Sequence, residues 1–297
     1  MFYTQSSGQR VPVDAADTTR LLKWRLSTFW VMLVGYIGYY LCRGNLSAAF
    51  PLLEQEFGYS NTQLGLIVSL SEIAYAAGKF VNGPLADKLG GRRIFLIGMA
   101  GAIFWNLIFA LSGSLTAFIV VWCCCRYFLS MGWGGLAKTI GSWYSSDKNG
   151  RVMGAISISF QSGGAIAALF AGFLVANGAS WQGVFVYPAL VLSVIWVWAF
   201  FASRAKPADV VPGAIAVEGE SAKKQLADYG DEETPPVTVI LKTLIKMPIY
   251  RQLLVFSFLT TLLRSVFLIW TPKFLFDIGQ GASAAILKSA VFPALGV

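Results

Sequence analysis

Five basic residues lie inside long apolar segments of the sequence, where a charge is expensive. A charged side chain at the centre of a bilayer costs about 2.5–3.5 kcal/mol on insertion scales, so such cations are expected to face a water-filled cavity or one another. Glu72 is the one acidic residue found in comparable surroundings. An excess of cations in a cavity predicts an anionic ligand. The five residues are Arg43, Lys79, Arg126, Lys138 and Arg264.

Arginine is well suited to binding an oxyanion. Its planar guanidinium donates paired hydrogen bonds to phosphate or carboxylate and stays charged at any physiological pH. Arg43 and Arg264 are therefore the predicted anion clamp, with a structural contact to a carbonyl or carboxylate of another helix as the alternative. Lys79 is predicted to line the same cavity. Lys138 could equally extend to the membrane interface, and Arg126 could equally serve packing or gating.

Tyrosines accompany two of these cations at helical spacing. Tyr36 and Tyr40 precede Arg43 by seven and three residues, and Tyr75 precedes Lys79 by four. Residues three, four and seven apart share one face of a helix, so the tyrosine hydroxyls should lie beside the cations. We expect these tyrosines to line the cavity; packing or anchoring at the membrane interface is the alternative.

The composition limits the class of protein. Of 297 residues, 56% are hydrophobic and 13% are charged, whereas an average soluble domain has about 25% charged residues. The net charge of +8 would also suit a nucleic-acid binder, but the positions of the cations favour a membrane protein without a nucleic-acid partner. Four cysteines without CxxC spacing and the absence of histidine predict neither metal nor cofactor. With no nucleophile–base pair and no phosphate-binding glycine loop, an enzyme is not expected.

Apolar segments of roughly 20 residues, the length needed to cross a bilayer as a helix, recur along the chain. They predict an all-α membrane protein. An eighth span is expected to begin near Ala284 and to be unfinished at Val297. The seven spans predicted before it cover residues 26–49, 63–86, 94–114, 117–143, 152–176, 183–203 and 249–276.

Basic residues, lysine or arginine, occur in every second connection between the spans. They occur before the first span and after the second and fourth, and are missing from residues 50–62, 113–116 and 177–182. The positive-inside rule therefore predicts a multi-pass inner-membrane protein with a cytoplasmic N-terminus. The predicted parts are a cytoplasmic tail (1–25), a six-helix bundle (26–203), a cytoplasmic linker (204–248) and the start of a second bundle (249–297).

Two helices share a pattern. Both read Arg-x7-Pro-x6-Gly, which predicts that they are the equivalent first helices of two related halves. A chance match of three positions is the alternative. The matched residues are Arg43, Pro51 and Gly58 in the first helix and Arg264, Pro272 and Gly279 in the second.

A short charged turn closes the second span. It combines Gly83, Asp87 and Gly90 with the pair Arg92 and Arg93. A carboxylate, cations and helix-breaking glycines in one turn can join helix ends by charge pairing and capping, so a gating role is predicted.

Residues 83–93 resemble the G-x3-D-[RK]-x-G-x-RR signature of major facilitator transporters. The segments YYLCRGN, AAGKFVNG and LLRSVFLIWTPKFL are similar to those of the organophosphate:inorganic phosphate antiporters, which include glycerol-3-phosphate and hexose-6-phosphate transporters. The resemblance implies a major facilitator fold of twelve helices that rocks between inward-open and outward-open states around one site. By motif, the phosphate-binding arginines correspond to Arg43 and Arg264, and the other cavity residues correspond to Lys79, Tyr36, Tyr40 and Tyr75.

The sequence departs from the family pattern at three places. The family's fifth-helix histidine falls at Phe160, beside Gln161, a lysine is replaced by Gly44, and an aspartate by Ile269. The expected function is exchange of a small organophosphate for inorganic phosphate by a monomer without cofactor. The alternatives are a membrane sensor of sugar phosphate and a carboxylate transporter that uses the same two arginines.

Overall fold

The computed structural model describes residues 2–6, 9–216, 237–291 and 293. Long helices joined by short turns form most of this part of the chain, as the apolar segments predicted. The helices are α1 (Ala15–Leu41), α2 (Asn45–Phe57), α3 (Asn61–Leu89), α4 (Gly91–Ala110), α5 (Leu115–Leu129), α6 (Met131–Trp143), α7 (Ser146–Ala176), α8 (Gly183–Ala202), α9 (Val237–Lys246), α10 (Pro248–Asp277) and α11 (Ala282–Ser289).

Six helical segments are long and apolar enough to cross a membrane. Because a span must satisfy its backbone polar groups internally, such helices are the expected form of a multi-pass membrane protein. The predictions of spans two to seven therefore have counterparts in the structure. The six segments are Asn61–Leu89, Gly91–Ala110, Leu115–Trp143, Asp147–Ala176, Gly183–Ala202 and Pro248–Asp277.

The first predicted span, residues 26–49, is not one continuous helix, and its helix starts earlier than predicted. The helix α1 begins at Ala15, inside the predicted tail, and ends at Leu41. Asp14 explains the early start, because its Oδ1 accepts a hydrogen bond of 2.7 Å from the Asp17 backbone N–H and so caps the helix. A turn over residues 42–44 then separates α1 from α2, and Arg43 lies in that turn.

The helices of the first half pack closely where glycine meets a neighbouring helix. A Cβ atom added to Gly91 would lie 2.5 Å from the carbonyl oxygen of Gly135, so α4 and α6 are nearly in backbone contact. Tyr39 of α1 donates a hydrogen bond of 2.6 Å to the carbonyl of Phe95 in α4. An aromatic cluster fills the opposite end of the core, with Phe109 and Phe185 stacked at a centroid distance of 4.2 Å.

The predicted tail and the first part of the predicted linker form an ordered cluster at the end of the bundle that carries the N-terminus. Strands β1 (Phe2–Ser6), β2 (Gln9–Pro12) and β3 (Ala214–Ala216) make a small antiparallel sheet in the order β2, β1, β3. Trp143 Nε1 donates to the carbonyl of Arg204 at 3.0 Å, which ties this cluster to α6. The acidic run of the linker, residues 231–233, lies outside the described residues.

In the two copies of the Arg-x7-Pro-x6-Gly pattern, the prolines and glycines have similar backbone surroundings, whereas the arginines do not. Gly58 follows α2 with φ 66°, and Gly279 lies just beyond α10 with φ 91°, a left-handed region that favours glycine. The two prolines lie inside their helices. Arg264, in contrast to Arg43, lies within the continuous helix α10.

Orientation can be tested at two glycines on opposite ends of the bundle. Neither Gly113 nor Gly150 would bring an added Cβ within 4 Å of another group, so cysteine should be tolerated at both. We expect the Gly113→Cys variant of the full-length protein to react with an impermeant maleimide in intact cells, and the Gly150→Cys variant to react only after permeabilisation. The unsubstituted protein supplies the background. Labelling of Gly150→Cys in intact cells would reverse the predicted orientation.

Candidate functional site

A cavity of about 740 Å³ lies between helices of the first half and α10. All six residues predicted to bind the anion line it, which brings together side chains from α1, α3, α10 and the turn after α1. Glu72, Arg126 and several serine and threonine residues also line the cavity. The six predicted residues are Tyr36, Tyr40, Arg43, Tyr75, Lys79 and Arg264.

Arg43 is held by neutral aromatic partners. Its Nη1 donates a hydrogen bond of 3.2 Å to the Tyr75 hydroxyl. Its guanidinium carbon lies 4.8 Å from the centre of the Tyr75 ring and 5.4 Å from that of Tyr40. The electron-rich ring face attracts a cation without cancelling its charge, so Arg43 is oriented and stays positive.

Arg264 is held in the same manner by α7. Its Nη2 donates a hydrogen bond of 2.9 Å to Gln161 Oε1, and its guanidinium carbon lies 4.2 Å from the centre of the Phe160 ring. Its buried Nε has no hydrogen-bond partner. The sequence had marked Phe160 and Gln161 as departures from a family pattern but had not identified them as partners of Arg264. Here an amide oxygen supplies the acceptor, so this arginine too keeps its full charge.

Glu72 forms an ion pair with Arg126, which is only 3% exposed. Of the roles left open by the sequence, this contact supports a structural role for Arg126 and accounts for the acidic residue in the apolar segments. Tyr75 is the common neighbour: its ring centre lies 4.5 Å from the Arg126 guanidinium carbon and 4.8 Å from Lys79 Nζ. Three cations therefore surround one aromatic ring.

The charged turn predicted after the second span is mostly helical, because α3 continues through Gly83 and Asp87 to Leu89, and Arg92 and Arg93 already lie in α4. The segment nevertheless makes the pairing contacts that its composition suggested. Lys138 of α6 pairs with Asp87 and does not line the cavity. Arg92 Nε donates a hydrogen bond of 2.9 Å to Ser203 Oγ, which joins the start of α4 to the end of α8. Gly90 adopts φ 87° between α3 and α4, whereas an added Cβ at Gly83 would meet nothing within 4 Å. Arg93 is exposed.

A second set of contacts joins α2 to α10 at the end of the cavity away from the N-terminus. Lys273 Nζ lies 2.9 Å from Glu54 Oε2 and also pairs with Asp277. The rings of Phe50 and Trp270 lie 5.5 Å apart. We call the Glu54–Lys273 and Phe50–Trp270 contacts the far-end latch.

The count of five cations in apolar segments was wrong, because the span predicted over 249–276 also contains Arg251 and Lys273. Lys273 lies inside the span predicted over 249–276 and is 2% exposed. Glu54 was assigned to a connection between spans and so was not considered as a partner for Lys273. Asp277, four positions after Lys273, was the signal in the sequence that could have predicted the Lys273–Asp277 ion pair.

The comparisons with known proteins agree with this architecture. The family profile of the Major Facilitator Superfamily matches residues 32–297. A crystal structure of a bacterial homologue of the human lysosomal transporter Spinster, inward-facing and unoccupied, superposes with a TM-score of 0.68 at 16% identity. The superposition covers 92% of this chain and 60% of the Spinster homologue. At this identity the likeness shows the fold.

Three relatives have names that state a function. A probable hexose phosphate transport protein of Chlamydia pneumoniae is 30% identical over 57% of this chain and 37% of its own length. The glycerol-3-phosphate transporter of Bacillus subtilis (strain 168) is 31% identical over 58% of this chain and 39% of its own length. The hexuronate transporter of the same strain is 29% identical over 84% of this chain and 56% of its own length. The chain thus spans less than two thirds of each relative. With most of its length matched by the family profile, the chain belongs to the Major Facilitator Superfamily.

Proposed function

We propose that this protein exchanges a small organophosphate, of the sugar phosphate or glycerol-3-phosphate type, for inorganic phosphate. One observation carries the proposal: Arg43 and Arg264, from the two predicted halves, line one cavity, and neither pairs with a carboxylate among the described residues. Both arginines are half-buried, and cations in such a cavity without counter-ions among the described residues favour binding of an anion, which supplies the missing charge. The names of two relatives support phosphorylated substrates.

The donors around the cavity suit a phosphoryl group. A guanidinium carries five N–H donors, and each of the two arginines uses one of them in a hydrogen bond that the structure shows. Tyr40 lines the cavity beside Arg43, with its ring centre 5.4 Å from the guanidinium carbon. Lys79 adds a further positive charge. The cavity thus offers charge-assisted hydrogen bonds from several directions, which favours a tetrahedral oxyanion.

Transport by alternating access follows from the placement of the arginines on both halves. A phosphate bound by Arg43 and Arg264 would draw the halves together, and only a higher affinity for the closed state could drive that shift. The far-end latch would hold one side of the cavity closed in the meantime. The residues proposed to gate the other side are those of the charged turn, Gly83, Asp87, Gly90, Arg92 and Arg93. We propose a monomer in the inner membrane with a cytoplasmic N-terminus.

A carboxylate transporter is the second candidate. The hexuronate transporter matches the largest part of the chain among the three relatives, and guanidinium binds carboxylate as well as phosphate. The two candidates differ in the ligand that the arginines prefer. A sensor of sugar phosphate would bind the same ligand without exchanging it.

Substituting lysine for the two arginines tests the clamp. Lysine keeps the charge but loses the planar set of donors. Loss of one charge-assisted hydrogen bond costs about 1.5–3 kcal/mol, so phosphate affinity should fall about ten- to a hundredfold in Arg43→Lys and Arg264→Lys. The measurement is exchange of radiolabelled phosphate by the full-length protein in phosphate-loaded liposomes. Arg151→Lys, an exposed site outside the cavity, is the control.

The same liposomes separate the candidates. Exchange of phosphate for glycerol-3-phosphate or glucose-6-phosphate supports the proposal, whereas exchange of glucuronate without phosphate favours the carboxylate transporter. Binding of a sugar phosphate with no exchange favours the sensor. Wild-type phosphate affinity in both well-folded lysine variants would refute the clamp.

The far-end latch predicts a change in access to the cavity. Glu54→Gln removes the carboxylate that joins α2 to Lys273 while Asp277 still compensates the lysine. Weakening one charge-assisted contact should raise the population open at this end by up to about tenfold. The readout is the rate at which an impermeant maleimide added outside labels a Ser157→Cys reporter in the cavity. Exposed Glu56→Gln should leave this rate unchanged; an unchanged rate in Glu54→Gln would contradict the latch.

A further inference from the structure

Two asparagines are buried beside the turn that carries Arg43. Asn45 is the first residue of α2 and is 1% exposed, and Asn106 of α4 is 0% exposed. Asn45 Nδ2 donates a hydrogen bond of 2.6 Å to Asn106 Oδ1. Burying an amide in apolar surroundings is costly unless it finds partners, so this pair needs a structural reason.

Asn106 reaches both sides of the turn. Its Nδ2 lies 3.4 Å from the carbonyl oxygen of Cys42, directly before Arg43, and 2.8 Å from that of Ala102 in its own helix. Its Oδ1 holds Asn45, two residues after Arg43. One side chain of α4 therefore contacts the backbone directly before Arg43 and the Asn45 side chain two residues after it, where the helix interruption leaves the chain with fewer backbone hydrogen bonds.

Neither asparagine lines the cavity. Asn45 donates to Asn106, and Asn106 in turn contacts the carbonyls of Cys42 and Ala102 and, at 3.3 Å from its Nδ2, Cys125 Sγ in α5. Cys42 directly precedes Arg43, so the contact with its carbonyl gives the two amides a route to the position of Arg43. A misplaced guanidinium loses affinity even when its charge is intact, because its hydrogen bonds depend on geometry.

We propose that Asn45 and Asn106 are positioning residues that hold the Arg43 guanidinium in its anion-binding place. This inference rests on the proposed function, in which Arg43 binds phosphate. Asn106 of α4 then contributes to ligand binding although its side chain does not line the cavity. The opposing view is that the pair stabilises helix packing and nothing more.

A third buried amide provides a matched control. Asn82 of α3 is 3% exposed, and its Nδ2 donates to Ser130 Oγ at 2.8 Å. Like Asn45, it has a buried Oδ1 without a partner, and it does not line the cavity. Asn82 therefore shares the burial and the interhelical hydrogen bond but does not touch the turn at residues 42–44.

The experiment compares phosphate affinity with stability in the purified full-length protein. Inorganic phosphate is titrated by calorimetry, and the Tm is measured for Asn106→Leu, Asn45→Leu, the double variant and Asn82→Leu. We expect the Kd for phosphate to rise about tenfold in each single variant at the turn. The double variant should bind phosphate no more weakly than Asn106→Leu, because Asn106→Leu already removes the Asn45–Asn106 hydrogen bond. Asn82→Leu should lower the Tm without moving the Kd.

Each outcome decides a separate point. An Asn106→Leu protein that loses Tm as Asn82→Leu does, yet binds phosphate like wild type, would overturn the positioning role. If Asn106→Leu does not fold, Asn45→Ala removes the same hydrogen bond with a smaller change, and wild-type affinity there has the same meaning. Arg43→Lys serves as the reference for a damaged clamp. Absence of phosphate binding by the wild-type protein would refute the proposed function itself, and this inference with it.

Discussion

The need to compensate charge in an apolar medium governs the organisation of this molecule. The cost of a buried ion is repaid only by a partner with good geometry, so each cation in the bundle must have an explanation. The buried Arg126 and Lys273 pair with carboxylates, and these pairs connect α3 to α5 and α2 to α10, while the more exposed Lys138 pairs with Asp87 and connects α3 to α6. Arg43 and Arg264 have neutral partners instead. The division separates the cations that hold the fold together from those that are available to a ligand.

The two available arginines are presented by different kinds of backbone. Arg264 projects from the continuous helix α10, where the backbone satisfies its own hydrogen bonds. Arg43 lies in an interruption between two helices, where polar backbone atoms need other partners. Asn106 supplies one such partner, because its Nδ2 lies 3.4 Å from the carbonyl oxygen of Cys42. An interrupted helix at the centre of a transporter thus requires polar support from a neighbouring helix.

The sequence predicted the cavity residues better than the backbone that presents them. Cations in apolar segments have few acceptable positions, which is why all six predicted residues line one cavity. The interruption at residues 42–44 was missed because no proline marks it and the apolar pattern continues into α2. The Glu72–Arg126 and Glu54–Lys273 pairs join residues far apart in sequence, and helical periodicity carries no information on such contacts. The small sheet pairs the N-terminus with a segment some 200 residues away, which local signals cannot reveal.

Neutral support for the arginines has a consequence for exchange. If Arg43 or Arg264 were paired with a carboxylate, an incoming anion would have to displace that partner, and the cavity could close without a ligand. With the tyrosine and glutamine partners seen here, the like charges of Arg43 and Arg264 repel each other, and an anion bound between them, as proposed, would remove that repulsion. Movement of the halves would then be coupled to the anion itself, which is the condition for obligatory exchange rather than leak.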